Sequence, residues 1–218
     1  MTRSLATAGN LLFLISGLTF QLAAQVAGDS GTFIIRHAGD TVAVERFTRS
    51  AIKLEGTLTL KNSKRTSERY AAVIAPDATV PLIEVTTREG IDTGTVRAKV
   101  VQRARVIFKR DSVAVDEMSD AGLTTRLFET ARGAVPYLNL SFALLEQAVR
   151  RARASPTSSE VAFFNLGGGQ TLNAKISPLG TDSLTLDIGN ISYRLRVDYQ
   201  GRVLGGTIPV QNVIVDRM

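Results

Sequence analysis

The sequence predicts a mainly β (α+β) fold: a strongly curved antiparallel sheet or open half-barrel of about a dozen strands, with one helix packed against it. Three observations carry this. Short runs alternate apolar and polar residues, turn residues bound those runs throughout the chain, and a single stretch has helical periodicity. The 218 residues, 44% hydrophobic and 21% charged, are apolar enough to bury a core and fit one domain.

The first residues have the three parts of a secretory signal. Arg3 supplies positive charge, Leu11 to Ile15 with Leu18, Phe20 and Leu22 an apolar stretch, and Ala23, Ala24 and Ala27 small residues. The stretch is interrupted by polar residues and falls short of the ~20 apolar residues of a spanning helix. Cleavage is expected after Ala24, with Ala27 as the alternative. That assigns 1–24 to the signal peptide and 25–218 to a single β-rich domain, with no transmembrane span, in the periplasm or exterior of a bacterium. There is no cysteine, so neither a disulfide nor a lipid-modified cysteine is available. Losing Arg3 lowers the formal charge from +6 to +5. For an exported protein this basic balance points to lipid head groups or acidic glycans and not to nucleic acid.

The strands follow in order. Thr32 to Arg36 and Thr41 to Phe47 flank Ala38-Gly39-Asp40 as a hairpin. From Ala51 to Lys61, Ile52, Leu54, Leu58 and Leu60 face one side and Lys53, Glu55, Thr57 and Thr59 the other, the pattern of a strand with one wet face. Glu68 to Ile74 and Pro81 to Thr87 come next. Thr95 to Lys109 reads as one long strand, bent midway, and Ser112 to Met118 and Leu123 to Phe128 complete the first half. A helix is expected near 137–153, where Leu138, Phe142, Leu145 and Val149 form an apolar stripe and Pro136 suits the first turn. Five further strands between Val161 and Ile208 form a meander, closed by Val210 to Val215.

No catalytic constellation is expected. His37 is the only histidine, which removes multi-histidine metal sites and most serine-hydrolase triads. Ser50-Ala51-Ile52-Lys53 matches S-x-x-K, but on a strand and without a later K-T-G. Gly167-Gly168-Gly169 precedes a strand, whereas a phosphate loop precedes a helix. Asp116, Glu117 and Asp120 lack the spacing of a calcium loop. No metal and no cofactor are therefore expected. The notable feature is basic: Arg97, Lys99, Arg103 and Arg105 share one parity of the long strand, with no acid between Thr95 and Arg110.

Two stretches carry a resemblance. Gly31 through Phe47, and Val197-Asp198-Tyr199-Gln200-Gly201-Arg202 with Ile208-Pro209-Val210-Gln211-Asn212, resemble the opening and closing hairpins of uncharacterised exported bacterial domains of unknown function. Those are similar in outline to lipoprotein-carrier and lipocalin-like half-barrels. The resemblance implies a curved sheet wrapped around a helix and, by analogy, an apolar or amphipathic (lipid-like) ligand. The functional expectation is accordingly a non-enzymatic envelope protein holding such a ligand between sheet and helix. Leu138, Phe142, Leu145, Phe163 and Tyr193 would line the space, and Arg97, Lys99, Arg103 and Arg105 would form a basic rim. The alternative is an interaction module that binds another envelope protein or an anionic polymer through its basic sheet face.

Overall fold

A computed structural model describes residues 28–93, 95–154 and 159–218; the segment read as a signal peptide lies outside them. Its first eight strands are β1 (Asp29–His37), β2 (Asp40–Arg49), β3 (Lys53–Leu60), β4 (Ser67–Val73), β5 (Leu82–Glu89), β6 (Lys99–Phe108), β7 (Ser112–Ser119) and β8 (Gly122–Glu129). Then come β9 (Val135–Tyr137) and the helix α1 (Phe142–Ala154). The chain returns through β10 (Glu160–Asn165), β11 (Thr171–Pro178), β12 (Ser183–Ile188), β13 (Ile191–Val197), β14 (Val203–Ile208) and β15 (Val213–Arg217). All fifteen strands belong to one sheet, in the order β8 back to β1, then β15 back to β9. Two meanders are thus joined where β1 pairs with β15, and every pairing is antiparallel except β9 with β10.

The sheet curls into an open roll. Its two ends meet side chain to side chain: Thr171 Oγ1 donates to Thr130 Oγ1 at 2.9 Å, and the Phe128 and Phe164 rings lie 5.6 Å apart. The inner face is apolar because alternate strand residues point to it, as Phe33 and Ile35, Leu54 and Leu58, and Leu184, Leu186 and Ile188 do. Each such side chain contributes about 1.5–3 kcal/mol on burial. The sheet wraps α1 so fully that every residue from Phe142 to Val149 is buried, polar ones included. An apolar stripe of the ordinary kind covers one side of a helix only.

Local chemistry moves two of the expected boundaries. The helix begins at Phe142 and not near 137, because Ser141 caps it: Ser141 Oγ accepts from Leu144 N at 3.3 Å. Pro136 lies in β9, where a residue without an N–H fits an edge strand. The expected bend in Thr95 to Lys109 is a β-bulge, since Thr87 pairs with Gln102 but Arg88 with Val100, leaving Val101 unpaired. The strand expected from Ala51 begins at Lys53, and Ile52 is 71% exposed. One close approach demands glycine: a Cβ on Gly56 would stand 2.2 Å from the buried Tyr70 hydroxyl.

Candidate functional site

The interior is occupied by its own side chains. Leu138, Phe142, Leu145, Phe163 and Tyr193 all lie in one buried cluster, as their apolar character predicts. The Phe142 ring packs on Phe33 and Tyr193, Tyr137 packs edge-on against Phe163, and the Tyr137 and Tyr193 hydroxyls are 3.0 Å apart. None of these five lines the best-formed clefts among the described residues. Their burial, and not an open chamber, is what the structure displays.

The most strongly perturbed titratable groups also lie in the interior. Burial raises the pKa of Glu45, against the pull of four hydrogen-bond donors. It also raises that of Tyr70, reinforced by the Glu45 charge, and lowers that of Arg49, against the attraction of Glu146. Such shifts mark functional sites in many proteins. Here the partners are structural, because each of these groups bonds to the helix or to its cap (Tyr70 through Glu45). Tyr70 and Ser141 donate to Glu45 Oε1 at 2.6 and 2.5 Å, and Phe142 N and Ala143 N donate to Oε2 at 2.7 and 3.0 Å. Arg49 donates to Ala143 O at 2.9 Å and to Gln147. A cleft of about 720 Å³ opens beside Asp29, Arg49, Gln147 and Arg150.

The outer face carries a pattern that parity in a single strand does not reveal. Pairing register places Thr32 opposite Arg46, Arg46 opposite Thr57, Thr57 opposite Arg69, Arg69 opposite Thr86 and Thr86 opposite Arg103. Threonine and arginine therefore alternate along one row across six strands. Successive arginines are two strand spacings apart, about 9.5 Å. The threonines keep like charges from standing directly opposite one another. Arg46, Arg69 and Arg103 are exposed, and none forms an ion pair within the described residues. A neighbouring row brings Arg88 beside Ser67 and Thr59.

Two hollows follow this row and share Thr57 and Arg69. The larger, about 800 Å³, is lined by Lys61, Arg65, Arg69 and Arg88 among others. The smaller, about 290 Å³, includes Arg46. Asp92, the acid in the larger hollow, accepts from Ala98 N at 2.8 Å and so anchors the wall of the cleft. On the other side runs an acidic row, with Glu55, Ala71, Glu84, Arg105, Asp116 and Thr125 in register. A row of acids thus borders the basic row on one flank, and further basic residues border it on the other.

The sequence-predicted rim is divided between faces. Arg103 and Arg105 lie on the outer face, and Arg105 approaches Glu84 at 4.0 Å. The bulge at Val101 inverts parity, so Lys99 stands opposite Glu89 on the other face. There it pairs with Asp120 at 2.5 Å, which raises its pKa. Arg97 precedes the strand. The remaining sequence candidates have local roles. His37 is exposed at the β1–β2 turn opposite Asp40. Ser50 Oγ accepts from Ile52 N, while Lys53 pairs with Glu55. Gly167 to Gly169 form the β10–β11 turn. Asp116 accepts from Thr125, and Glu117 pairs with Arg126.

No family model and no curated protein matches the chain. Among solved structures it is similar to a DUF1089 family protein from Pseudomonas aeruginosa, with a TM-score of 0.55, 10% identity, and coverage of 77% of this chain and 90% of that one. A β-barrel-like protein of domain of unknown function DUF1849 from Brucella abortus aligns with a TM-score of 0.49 and 9% identity over 86% of this chain and 93% of that one. At such identity the likeness is one of fold alone: a β-rich domain built on one curved sheet. No helix among the described residues is long and apolar enough to cross a membrane.

Proposed function

We propose that the protein is a non-enzymatic binding module of the bacterial envelope that holds an acidic polysaccharide along the outer face of its sheet. The threonine–arginine row carries this reading. It offers a positive charge about every 9.5 Å with a hydroxyl between, a spacing set by strand pairing. A linear glycan with one carboxylate per disaccharide presents sparse charge and many hydroxyls, the complement of such a row. Nucleic acid is charged far more densely, at about 3.4 Å per phosphate along each duplex strand. Guanidinium groups are also suited to planar, bidentate recognition of carboxylates. The closely packed interior favours this face over the space between sheet and helix.

The test is titration with hyaluronan oligosaccharides at low and moderate salt, using mature protein purified from the envelope fraction. Binding is expected to weaken with salt. Replacing Arg46, Arg69 and Arg103 together by serine should lower affinity about tenfold, since three exposed contacts contribute about 0.5 kcal/mol each. Arg110→Ser, away from the row, should leave affinity unchanged. Equal binding by wild type and the triple variant would refute the reading. The intact mass of the same sample checks export: cleavage after Ala24 gives a chain beginning at Gln25, whereas a mass retaining 1–24 would refute it.

A further inference from the structure

We propose that two copies of this chain associate through β8, which pairs antiparallel with β8 of the second copy about a two-fold axis at Thr125. The inference stands apart from polysaccharide binding. Among the described residues β8 is the terminal strand of the sheet and pairs only with β7. Its far edge therefore presents unpaired backbone N–H and C=O groups. Natural edges are usually guarded by charged side chains (lysine above all), proline, a bulge or brevity. β8 has eight residues, neither lysine nor proline, and an unbroken register with β7, and its one charge before the tail, Arg126, is tied back to Glu117 of β7 at 2.7 Å. The closing contact between the ends of the roll covers only its tail, at Phe128 and Thr130. From Gly122 to Leu127 every residue is exposed.

The side chains select the partner and the register. Leu123 and Leu127 share the outer face, 66% and 67% exposed, and Met118 stands opposite Leu123 at 52%. Pairing about Thr125 puts Leu123 of each copy opposite Leu127 of the other. The apolar stripe thereby completes itself, as an isologous interface requires. Pairing about Arg126 would set two arginines face to face, which is destabilising. Pairing about Thr124 would set Leu123 against Thr125 and leave the leucines unmatched. About Thr125, Arg126 lies opposite Thr124 of the second copy, and Thr124 is in register with Glu117. Arg126 of one copy and Glu117 of the other then share a row with one threonine between them, twice by symmetry. Arg126 keeps its own-chain partner Glu117 at 2.7 Å, so this row brings no unpaired charge to the junction, and the two rolls form one continuous sheet.

The absence of cysteine makes this register directly readable. At the two-fold position Cα atoms are about 4.5 or 5.5 Å apart, within the range a disulfide spans. Thr125→Cys should therefore cross-link two copies under mild oxidation. Leu123→Cys should not, because the two 123 positions are offset by four residues, about 13 Å. Sedimentation equilibrium of the cysteine-free mature protein should give a dimer at tens of micromolar, and Thr125→Pro should shift it to monomer while its circular dichroism stays native. A monomer at every concentration would overturn the proposal. So would cross-linking of Leu123→Cys as readily as Thr125→Cys.

Discussion

Replacing Glu45 with alanine is expected to lower unfolding stability by about 4 kcal/mol or more, read as a fall in the urea midpoint at unchanged slope. Glu45 is fully buried on β2, and its two oxygens accept from the Tyr70 and Ser141 hydroxyls and from the first two N–H groups of α1. Alanine would leave four buried donors without an acceptor, each costing about 1–3 kcal/mol. Typical domains have only about 5–15 kcal/mol of total stability. Glutamine should lose far less. Its oxygen can accept from the two N–H groups, and its amide can donate to the hydroxyls.

The two forms should also differ in pH dependence. Burial raises the Glu45 pKa, so the folded state binds the proton more tightly than the unfolded chain does. Its contribution to stability is therefore full below the ordinary glutamate range and is lost as pH rises towards the folded value. Glutamine does not titrate. The stability of the wild type relative to Glu45→Gln should fall with rising pH across that window and then level off. Glu68, whose pKa burial also raises, is present in both proteins and cancels in the difference. A difference that grows with pH would mean that the four donors outweigh burial.

The inward place of Glu45 was legible in the sequence, although nothing there named its partners. Ala43 and Phe47 set the core parity of this strand, and Glu45 and Arg49 share it. Two charges on a core face demand buried partners, and the helix offered Ser141, Glu146 and Gln147. What was missing was the pairing in space. The same holds for the outer face. Alternation along Lys53 to Leu60 correctly divided Leu54 and Leu58 from Thr57 and Thr59. The threonine–arginine row runs across strands, however, and exists only through register, which no single strand encodes. Parity also failed at Lys99, because one unpaired residue, Val101, inverts every side chain beyond it. Pro136 misled for a related reason: a helix first turn and an edge strand both tolerate a residue without an N–H.

Glu146→Gln is the second substitution expected to act strongly, at about 3–5 kcal/mol. For a chain of this size that corresponds to a fall in Tm of about 10 °C. Glu146 is fully buried. Its Oε1 lies 3.0 Å from Arg150 and 3.3 Å from Arg49, and its Oε2 lies 3.1 Å from Arg217 and accepts from Val203 N at 2.9 Å. Arg217 also pairs with Asp29 at 2.6 Å and stacks over Phe33 and Phe47. Three guanidinium groups thus share one buried carboxylate, with Asp29 as the second anion. An amide would keep the shape but remove the charge and turn N–H groups towards other N–H groups. Arg49→Met should then cost less in the Glu146→Gln background than in the wild type, since its guanidinium would already have lost its counterion. A double-mutant cycle by chemical denaturation reads this directly; additive losses would show that Arg49 is held by Ala143 and Gln147 alone. The consequence reaches the outer face, because α1 grips β2 through its inward residues Glu45 and Arg49. Arg46, one position along, points outward into the row for that reason. Moderate destabilisation at Glu146 should therefore leave polysaccharide affinity intact below the unfolding transition, while the arginine substitutions change affinity and leave the transition in place.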